Sequence, residues 1–295
     1  MLQRLFIFSC LLWCASCSSS KLHTQNAAAA KTQLLKNTYG TYGAPPRLAG
    51  GRVNMEQLLA ELKELHVTTY HWLIWQNEND WDDLQAFLPV ARKHHIKVWV
   101  TVVPPSESKP RAKMNSEPFG KDYKRWAQEF ARLSLKEPAL VAWSIDDFAH
   151  NLDTFTPSYT DSCLQGAKAI NPRLSFVPCL YYRQITPKFA AAYGAMLDGL
   201  LFPYRAESAG GNLKDPSMVE SEIATIRKLF KPGMPVFVDI YATAHSRLGP
   251  STPEYVKQVL EFSKLYADGV LIYCHQDPVK SAEKYNVIKE GFAGR

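Results

Sequence analysis

Short apolar runs alternate with longer stretches of helical periodicity from Lys36 onward. This alternation is typical of parallel β/α architecture. The apolar runs predict eight strands: Asn37 to Tyr42, Thr68 to Trp75, Lys97 to Val103, Leu140 to Asp146, Leu174 to Tyr181, Met196 to Pro203, Val236 to Tyr241 and Gly269 to His275. Eight strands with a helix after each are the composition of a (β/α)8 TIM barrel.

Helix starts are marked by a repeated device, a capping oxygen directly before a proline. It occurs at Thr156-Pro157, Thr186-Pro187, Asp215-Pro216 and Thr252-Pro253. Connections that follow strands are longer than those that precede them, as in barrels with an active site at the carboxyl ends of the strands.

An open doubly wound sheet is the alternative fold for this alternation. That fold normally carries a glycine-rich phosphate loop, and no G-x-G-x-x-G or P-loop sequence occurs in the 295 residues. Hydrophobic residues make up 46% and charged residues 21%, an ordinary globular balance. We therefore predict the α/β class, with a single TIM-barrel domain over residues 36–295.

The first residues have the layout of a secretory signal, with Arg4 before the apolar run from Leu5 to Trp13. The segment from Cys14 to Ser18 resembles a bacterial lipobox, with Cys14 where leucine is usual. This resemblance implies that residues 1–17 are a lipoprotein signal and that Cys17 receives the lipid. Residues 18–35 are then a flexible tether, and the protein is exported and anchored to a bacterial membrane. An ordinary cleaved signal peptide is the alternative.

The net charge of +6 is mildly basic, and the densest basic stretch runs from Lys109 to Arg125. A solvated loop accounts for this stretch, and an attraction to an anionic glycan or a membrane surface is the alternative. No basic and aromatic pattern resembles a nucleic-acid module, so nucleic acid is not expected as a partner.

Strand parity separates residues that face the helices from residues that face the barrel interior. In the fourth strand Val141, Trp143 and Ile145 suit the helix layer, which turns Asp146 into the mouth, with Asp147 directly after it. Two neighbouring carboxyls can have different pKa values, so that one stays ionised while the other donates a proton. The alternative is structural, with Asp147 capping the loop and Asp146 paired to a cation.

Two further carboxylates are catalytic candidates. In the seventh strand Asp239 shares the inward parity of Phe237 and Tyr241, and Glu207 follows the sixth strand. A buried pair between Asp239 and an arginine is an equally good explanation of that aspartate.

The predicted strand ends are rich in aromatic and polar side chains, which together suit the apolar faces and hydroxyl rims of sugars. The candidate substrate-binding residues are His71, Trp72, Trp75, Tyr181, Tyr182, Tyr204, Arg205, Tyr241, Tyr273, His275 and Gln276. Core packing is the alternative for any one of them, and a carbohydrate is the expected partner.

Other catalytic chemistries have weaker support. A metal site would have to be built from His71, His275 and the aspartates, since His94 and His95 fall at the opposite end of the barrel. A serine nucleophile would need a G-x-S-x-G elbow, which the sequence lacks. Neither a metal nor an organic cofactor is therefore expected.

The segment from Val141 to Phe148 resembles the fourth strand of barrel glycoside hydrolases, and its paired aspartates resemble those of O-GlcNAcase-like β-N-acetylglucosaminidases. The resemblance implies that Asp146 orients the acetamido group of the substrate and that Asp147 is the general acid and base. A different retaining arrangement would use Asp146 as nucleophile and Glu207 or Asp239 as acid.

These features predict a glycoside hydrolase-like barrel that cleaves an oligo- or polysaccharide. A noncatalytic glycan-binding surface lipoprotein is the main alternative. A metal-dependent hydrolase or lyase is a third.

Overall fold

The computed structural model describes residues 29–294, along which strands and helices alternate. The strands are β1 (Thr38–Tyr42), β2 (Thr69–Ile74), β3 (Lys97–Val102), β4 (Leu140–Ile145), β5 (Ser175–Phe176), β6 (Leu200–Tyr204), β7 (Val236–Tyr241) and β8 (Gly269–Tyr273). The helices are α1 (Met55–Glu64), α2 (Asp80–Lys93), α3 (Tyr123–Lys136), α4 (Pro157–Lys168), α5 (Pro187–Tyr193), α6 (Val219–Leu229), α7 (Pro253–Tyr266) and α8 (Ala282–Ala293). A small hairpin of Ala244–His245 and Gly249–Pro250 lies between β7 and α7.

The strands form one parallel sheet in the order β5-β4-β3-β2-β1-β8-β7-β6. Its two outer strands meet just beyond β5, where Cys179 bridges Leu201 and the Leu201 amide donates to the carbonyl oxygen of Pro178 at 3.0 Å. The prediction of an α/β fold of the TIM-barrel type is confirmed. β5 is shorter than predicted, although the amides of Val177 and Cys179 still donate to the carbonyl oxygens of Trp143 and Ile145 in β4.

Most strand residues face the side of the sheet, helix layer or barrel interior, that their parity in the sequence predicts. Trp143 and Ile145 of β4 pack in the large cluster between the strands and the helices. Ala142 and Phe237 pack with Leu201 in the cluster that fills the barrel interior. The expectation for Val141 is wrong: this residue belongs to the interior cluster, because the pairing of β3 and β4 shifts register between Val98 and Trp99.

Three of the four predicted helix starts are confirmed by their caps. The side chains of Thr156, Thr186 and Thr252 each accept a hydrogen bond from the amide three residues later. The start predicted at Asp215-Pro216 is wrong, because α6 begins at Val219. Asp215 instead accepts hydrogen bonds from the amide and the hydroxyl of Ser217.

Part of the predicted tether belongs to the barrel. Residues 29–35 are helical, and Leu35 is 1% exposed within the interior cluster. Lys31 forms an ion pair of 2.7 Å with Asp198. The Asp198 carboxylate also accepts a hydrogen bond from the amide of Phe176 in β5. This helical segment therefore covers the amino-terminal end of the barrel.

The predicted signal segment, including Cys17, and the predicted tether before residue 29 lie outside the described residues. Between residues 29 and 294, no helix has both the length and the apolar character needed to cross a membrane.

Candidate active site

A cavity of about 430 Å³ opens at the carboxyl ends of the barrel strands. The loops after β3 and β4 begin with short 3-10 turns, which contribute Glu107 and His150 to its lining. Of the residues predicted from the sequence, the cavity is lined by Trp75, Asp146, Asp147, Tyr181, Arg205, Asp239, Tyr241 and Tyr273.

Asp146 directly follows β4, where its amide still donates to the carbonyl oxygen of Val102 in β3. Its carboxylate accepts a hydrogen bond from the Tyr42 hydroxyl at 2.8 Å and another from the Asp147 amide at 3.0 Å. Burial, followed by repulsion from Asp147, raises the pKa of Asp146 to about 6, although its hydrogen bonds act in the opposite direction. Asp146 is therefore held in one orientation by donors that favour its ionised form.

Asp147 adopts a left-handed backbone conformation with a φ of 43°. Few residues other than glycine tolerate this conformation, and aspartate is among those that do. The turn leaves the side chain 20% exposed in the cavity, with Oδ2 at 3.5 Å from Nδ1 of His150. The same turn is held by the Asn151 amide group, which donates to the carbonyl oxygen of Asp147 at 3.0 Å.

Two further carboxyls share the cavity. Asp239 on β7 is 2% exposed, and its Oδ1 has no hydrogen-bond partner within residues 29–294. Burial, with a contribution from Asp146, raises the pKa of Asp239 well above its ordinary range. Burial and the charges of Asp146 and Asp147 raise the pKa of Glu107 to about 8. Both raised pKa values favour the neutral form of these two carboxyls, which limits the charge crowded into the cavity.

Basic and aromatic groups form another part of the wall. The Arg205 guanidinium lies 4.0 Å from the centre of the Tyr181 ring, and its Nη1 lies 3.1 Å from Nε2 of His245. The hydroxyls of Tyr181 and Tyr241 are 3.3 Å apart. Aromatic faces beside charged groups provide the surface that a sugar ring requires.

Seven predicted site residues do not line this cavity: His71, Trp72, Tyr182, Tyr204, Glu207, His275 and Gln276. Trp72 faces the helix layer, where its indole N–H donates to the Asp80 carbonyl oxygen at 3.0 Å. Tyr204 packs in that layer too, and its hydroxyl donates to the carbonyl oxygen of Asp215. Tyr182 packs at the edge of the helix layer, and the Gln276 amide group donates to the carbonyl oxygen of Cys274.

The other members of this set lie behind the lining. His71 points into the barrel but lies beneath Tyr42, whose ring stacks on it at 4.1 Å. His275 contacts Thr41 through Nδ1 and Glu61 through Nε2, at 2.9 and 2.8 Å. Glu207 is 6% exposed, forms an ion pair with Arg205 and accepts the amide of Arg183 at 2.8 Å.

The cavity also contains residues that sequence reasoning missed. Tyr42 ends the glycine-containing first strand, in which Gly40 lets the backbone of β2 approach closely at Thr69. Glu107 lies in the loop after β3, and His245 and Arg247 lie on the hairpin after β7. The length of those two loops was the available signal, since long loops after barrel strands shape active sites.

One group of possible metal ligands lies in the cavity. Asp146, Asp147 and Cys179 offer ligand atoms within 4.8 Å of one another. Burial and the nearby carboxylates raise the pKa of Cys179, which keeps it a thiol, whereas metals bind the thiolate. His71 and His275, the histidines expected in a metal site, are held by the contacts given above and do not join this group.

No known family matches the chain, and no curated protein matches it. Solved structures do share its fold. A GH5_18 protein from Streptomyces cattleya in complex with GlcNAc has a TM-score of 0.63 and 10% identity, over 88% of this chain and 80% of that chain.

Two larger enzymes contain a similar domain. A GH2 β-galacturonidase from Eisenbergiella tayi bound to galacturonate has a TM-score of 0.58 and 13% identity, over 88% of this chain and 51% of that chain. For Bacteroides uniformis β-glucuronidase 2 the values are 0.57 and 12%, over 80% of this chain and 30% of that chain. The chain thus spans about half or less of these two enzymes. At this identity the likeness establishes the fold, which is that of the barrel domains of glycoside hydrolases in GH2 and GH5.

Proposed function

We propose that the protein is a glycoside hydrolase that cleaves an oligo- or polysaccharide with its own carboxyl groups. The observation that carries this proposal is the meeting of Asp146, Asp147 and Asp239 in one cavity with aromatic walls. Glycoside hydrolysis needs one carboxyl that donates a proton and a second that stays ionised. The fold that the chain shares with GH2 and GH5 proteins supports the same chemistry.

Asp146 and Asp147 take the two roles in the first arrangement. Asp146, oriented by Tyr42 and by the Asp147 amide, holds the acetamido group of the substrate while that group attacks the anomeric carbon. Asp147, exposed in the cavity, gives its proton to the leaving oxygen and later takes one from water. This arrangement rests on the resemblance of the fourth strand to O-GlcNAcase-like enzymes and requires an N-acetylated sugar.

A second arrangement uses Asp146 as nucleophile and Asp239 as acid. Its support is Oδ1 of Asp239, which has no hydrogen-bond partner in the described residues, together with the raised pKa of this carboxyl, which favours its protonated form. Asp146 would form the bond to the anomeric carbon while Asp239 protonates the departing oxygen. Glu207, the other acid considered for this arrangement, has no place in it because its carboxylate is engaged by Arg205 and Arg183 behind the lining.

Turnover of chromogenic glycosides and intact polysaccharides by three asparagine variants tests the proposal. We expect Asp147→Asn to lower kcat about 100-fold or more while folding is retained. Asp153→Asn is the matched control, because Asp153 is exposed on the neighbouring loop and does not line the cavity. Full activity in Asp147→Asn would contradict the first arrangement, and full activity in Asp239→Asn would contradict the second.

The same panel separates the other function classes. Binding of glycans without cleavage of any substrate would indicate a noncatalytic glycan-binding barrel. Activity lost in chelator and restored by a divalent cation would indicate a metal-dependent hydrolase, for which Asp146, Asp147 and Cys179 offer ligand atoms.

We further propose that the protein is exported and attached to a bacterial membrane by a lipid on Cys17. The support is the order of Arg4, the apolar run and the lipobox-like segment in the sequence. An anchored hydrolase would act on glycans outside the cytoplasm.

A further inference from the structure

The cavity has carboxyls on its floor and basic side chains at its rim. Arg205, His245 and Arg247 line it together, and we name these three residues the basic wall. We propose that the basic wall binds an anionic substituent, a carboxylate or a sulfate, on the sugar that enters the cavity. The inference rests on the proposed function and narrows the substrate class to acidic glycans.

The contact between His245 and Arg205 is the first reason. Nδ1 of His245 lies 3.1 Å from the Arg247 amide nitrogen and 3.3 Å from the Leu248 amide nitrogen, and it accepts hydrogen bonds from both. The neutral imidazole then carries its proton on Nε2. That atom lies 3.1 Å from Nη1 of Arg205, so two donors face each other. An anionic oxygen that lies beside both nitrogen atoms would accept from both.

The setting of Arg205 is the second reason. Its side chain is 12% exposed and is fixed by Glu207 on one side and the Tyr181 ring on the other. Nε of Arg205 has no hydrogen-bond acceptor within the described part of the chain. A guanidinium held in place at the cavity wall is suited to an anion, because little side-chain entropy is lost on binding.

Arg247 supplies the charge. Glu207 balances the charge of Arg205, whereas the Arg247 guanidinium has no carboxylate within 4.0 Å among residues 29–294. Arg247 is exposed and lies on the hairpin that overhangs the cavity. It can therefore pair with a charged substituent without giving up an existing ion pair.

The carboxyls on the floor do not prevent an anion from binding at the rim. Burial raises the pKa of Asp239 well above its ordinary range and that of Glu107 to about 8, which lowers the negative charge that these two carboxyls bring to the cavity. An acidic sugar can place its anionic group against the basic wall and its anomeric carbon toward Asp147.

Matched aryl glycosides that differ only at C6 test the inference. Glucosides are compared with glucuronides, galactosides with galacturonides, and each neutral sugar, the N-acetylglucosaminide included, with its 6-sulfate. We expect a kcat/KM at least tenfold higher for one acidic member of a pair, and its identity distinguishes a carboxylate from a sulfate. Arg247→Gln should lower the ratio of acidic to neutral kcat/KM about tenfold, as the loss of one charge-assisted hydrogen bond predicts. Arg132→Gln, which removes an arginine that is 50% exposed on α3, should leave that ratio unchanged.

Failure of the inference and failure of the proposed function give different results. If neutral glycosides are cleaved at least as fast as acidic ones, the proposal that the basic wall binds an anionic substituent is wrong, whereas the hydrolase proposal is unaffected. If no glycoside is cleaved, calorimetry with glucuronate, galacturonate, glucose and galactose decides about the basic wall alone. Uronate binding that weakens in Arg247→Gln would support it. Equal binding of acid and neutral sugar, uronate binding that Arg247→Gln leaves unchanged, or no binding of any of the four sugars would overturn it.

Discussion

The hydroxyl of Tyr42 donates a hydrogen bond to Oδ2 of Asp146 at 2.8 Å and joins the end of β1 to the end of β4. The Tyr42 ring rests on His71, whose ring nitrogens have no hydrogen-bond partner in the described residues. Burial lowers the pKa of His71 to about 3, so this imidazole is neutral. Tyr42 is thus supported from below without a charge that would disturb Asp146.

Replacement of Tyr42 by phenylalanine should raise the pKa of Asp146 above about 6, because the Tyr42 hydrogen bond lowers that pKa. Where Asp146 acts in its ionised form, the acidic limb of the kcat/KM profile then moves to higher pH. A pH–rate profile with a chromogenic glycoside measures the shift. Carbon-13 NMR of the carboxyl groups measures the pKa of Asp146 directly, in the absence of substrate.

Tyr193→Phe is the control for this variant. The hydroxyl of Tyr193 donates to the carbonyl oxygen of Phe155 at 2.8 Å, in a buried place away from the cavity. Both variants lose one hydrogen bond, worth about 1 kcal/mol of stability. An unchanged pKa of Asp146 in Tyr42→Phe would show that the hydroxyl does not orient a charged carboxylate.

Replacement of Asp146 by asparagine should stabilise the fold more at pH 7.5 than at pH 4. The pKa of Asp146 is raised from 3.8 to about 6, so the folded protein holds the proton more tightly than the unfolded chain. The contribution of Asp146 to stability therefore falls as pH rises from about 4 to about 6. Asparagine carries no charge at either pH, so the variant does not lose this contribution to stability as the pH rises. Melting temperatures of both proteins at the two pH values measure the difference.

Asp153→Asn serves again as the control, because Asp153 is exposed and does not line the cavity. The comparison between pH values removes any constant effect of the new amide on packing. If Asp146→Asn changed the melting temperature equally at pH 4 and pH 7.5, the raised pKa would be refuted.

Strand parity depends only on the local sequence, and it predicts the inward orientation of several residues that line the cavity. Asp239 and Tyr241 alternate with the helix-facing residues of β7, and both line the cavity. The same rule, applied to β2, separates Trp72 from His71, because neighbours in a strand point to opposite faces. Aromatic character at a strand end was therefore a poorer guide than parity.

Contacts between distant segments could not be predicted in this way. Tyr42 and Asp146 are 104 positions apart, and nothing local in either strand indicates that they meet. Loop conformation was equally hidden, so Glu107 and the hairpin with His245 were missed although their loops were recognised as long. The left-handed turn at Asp147 is followed by a tertiary contact, the hydrogen bond that the Phe148 amide donates to the carbonyl oxygen of Cys179 at 3.2 Å.

Replacement of Cys17 by alanine tests the proposed lipid anchor. In a bacterial host that carries the lipoprotein pathway, we expect the unaltered protein in the membrane fraction with lipid on its mature amino terminus. The variant has no thiol to modify at this position and should lose the lipid. Mass spectrometry of the amino-terminal peptide measures the modification. Cys10→Ala is the control, and lipid retained in Cys17→Ala would contradict the assignment.

Replacement of Glu207 by glutamine separates a positioning role from a catalytic one. The neutral side chain can still accept the amide of Arg183, but it leaves the mostly buried Arg205 without its ion pair, so we expect a loss of about 1–3 kcal/mol in unfolding free energy. Because Arg205 then loses its fixed position, KM should rise several-fold while kcat changes little. Glu261→Gln, on the exposed face of α7, should alter neither quantity. A folded Glu207→Gln protein with normal KM and abolished kcat would instead make Glu207 the proton donor, since a positioning residue acts on binding before it acts on the chemical step.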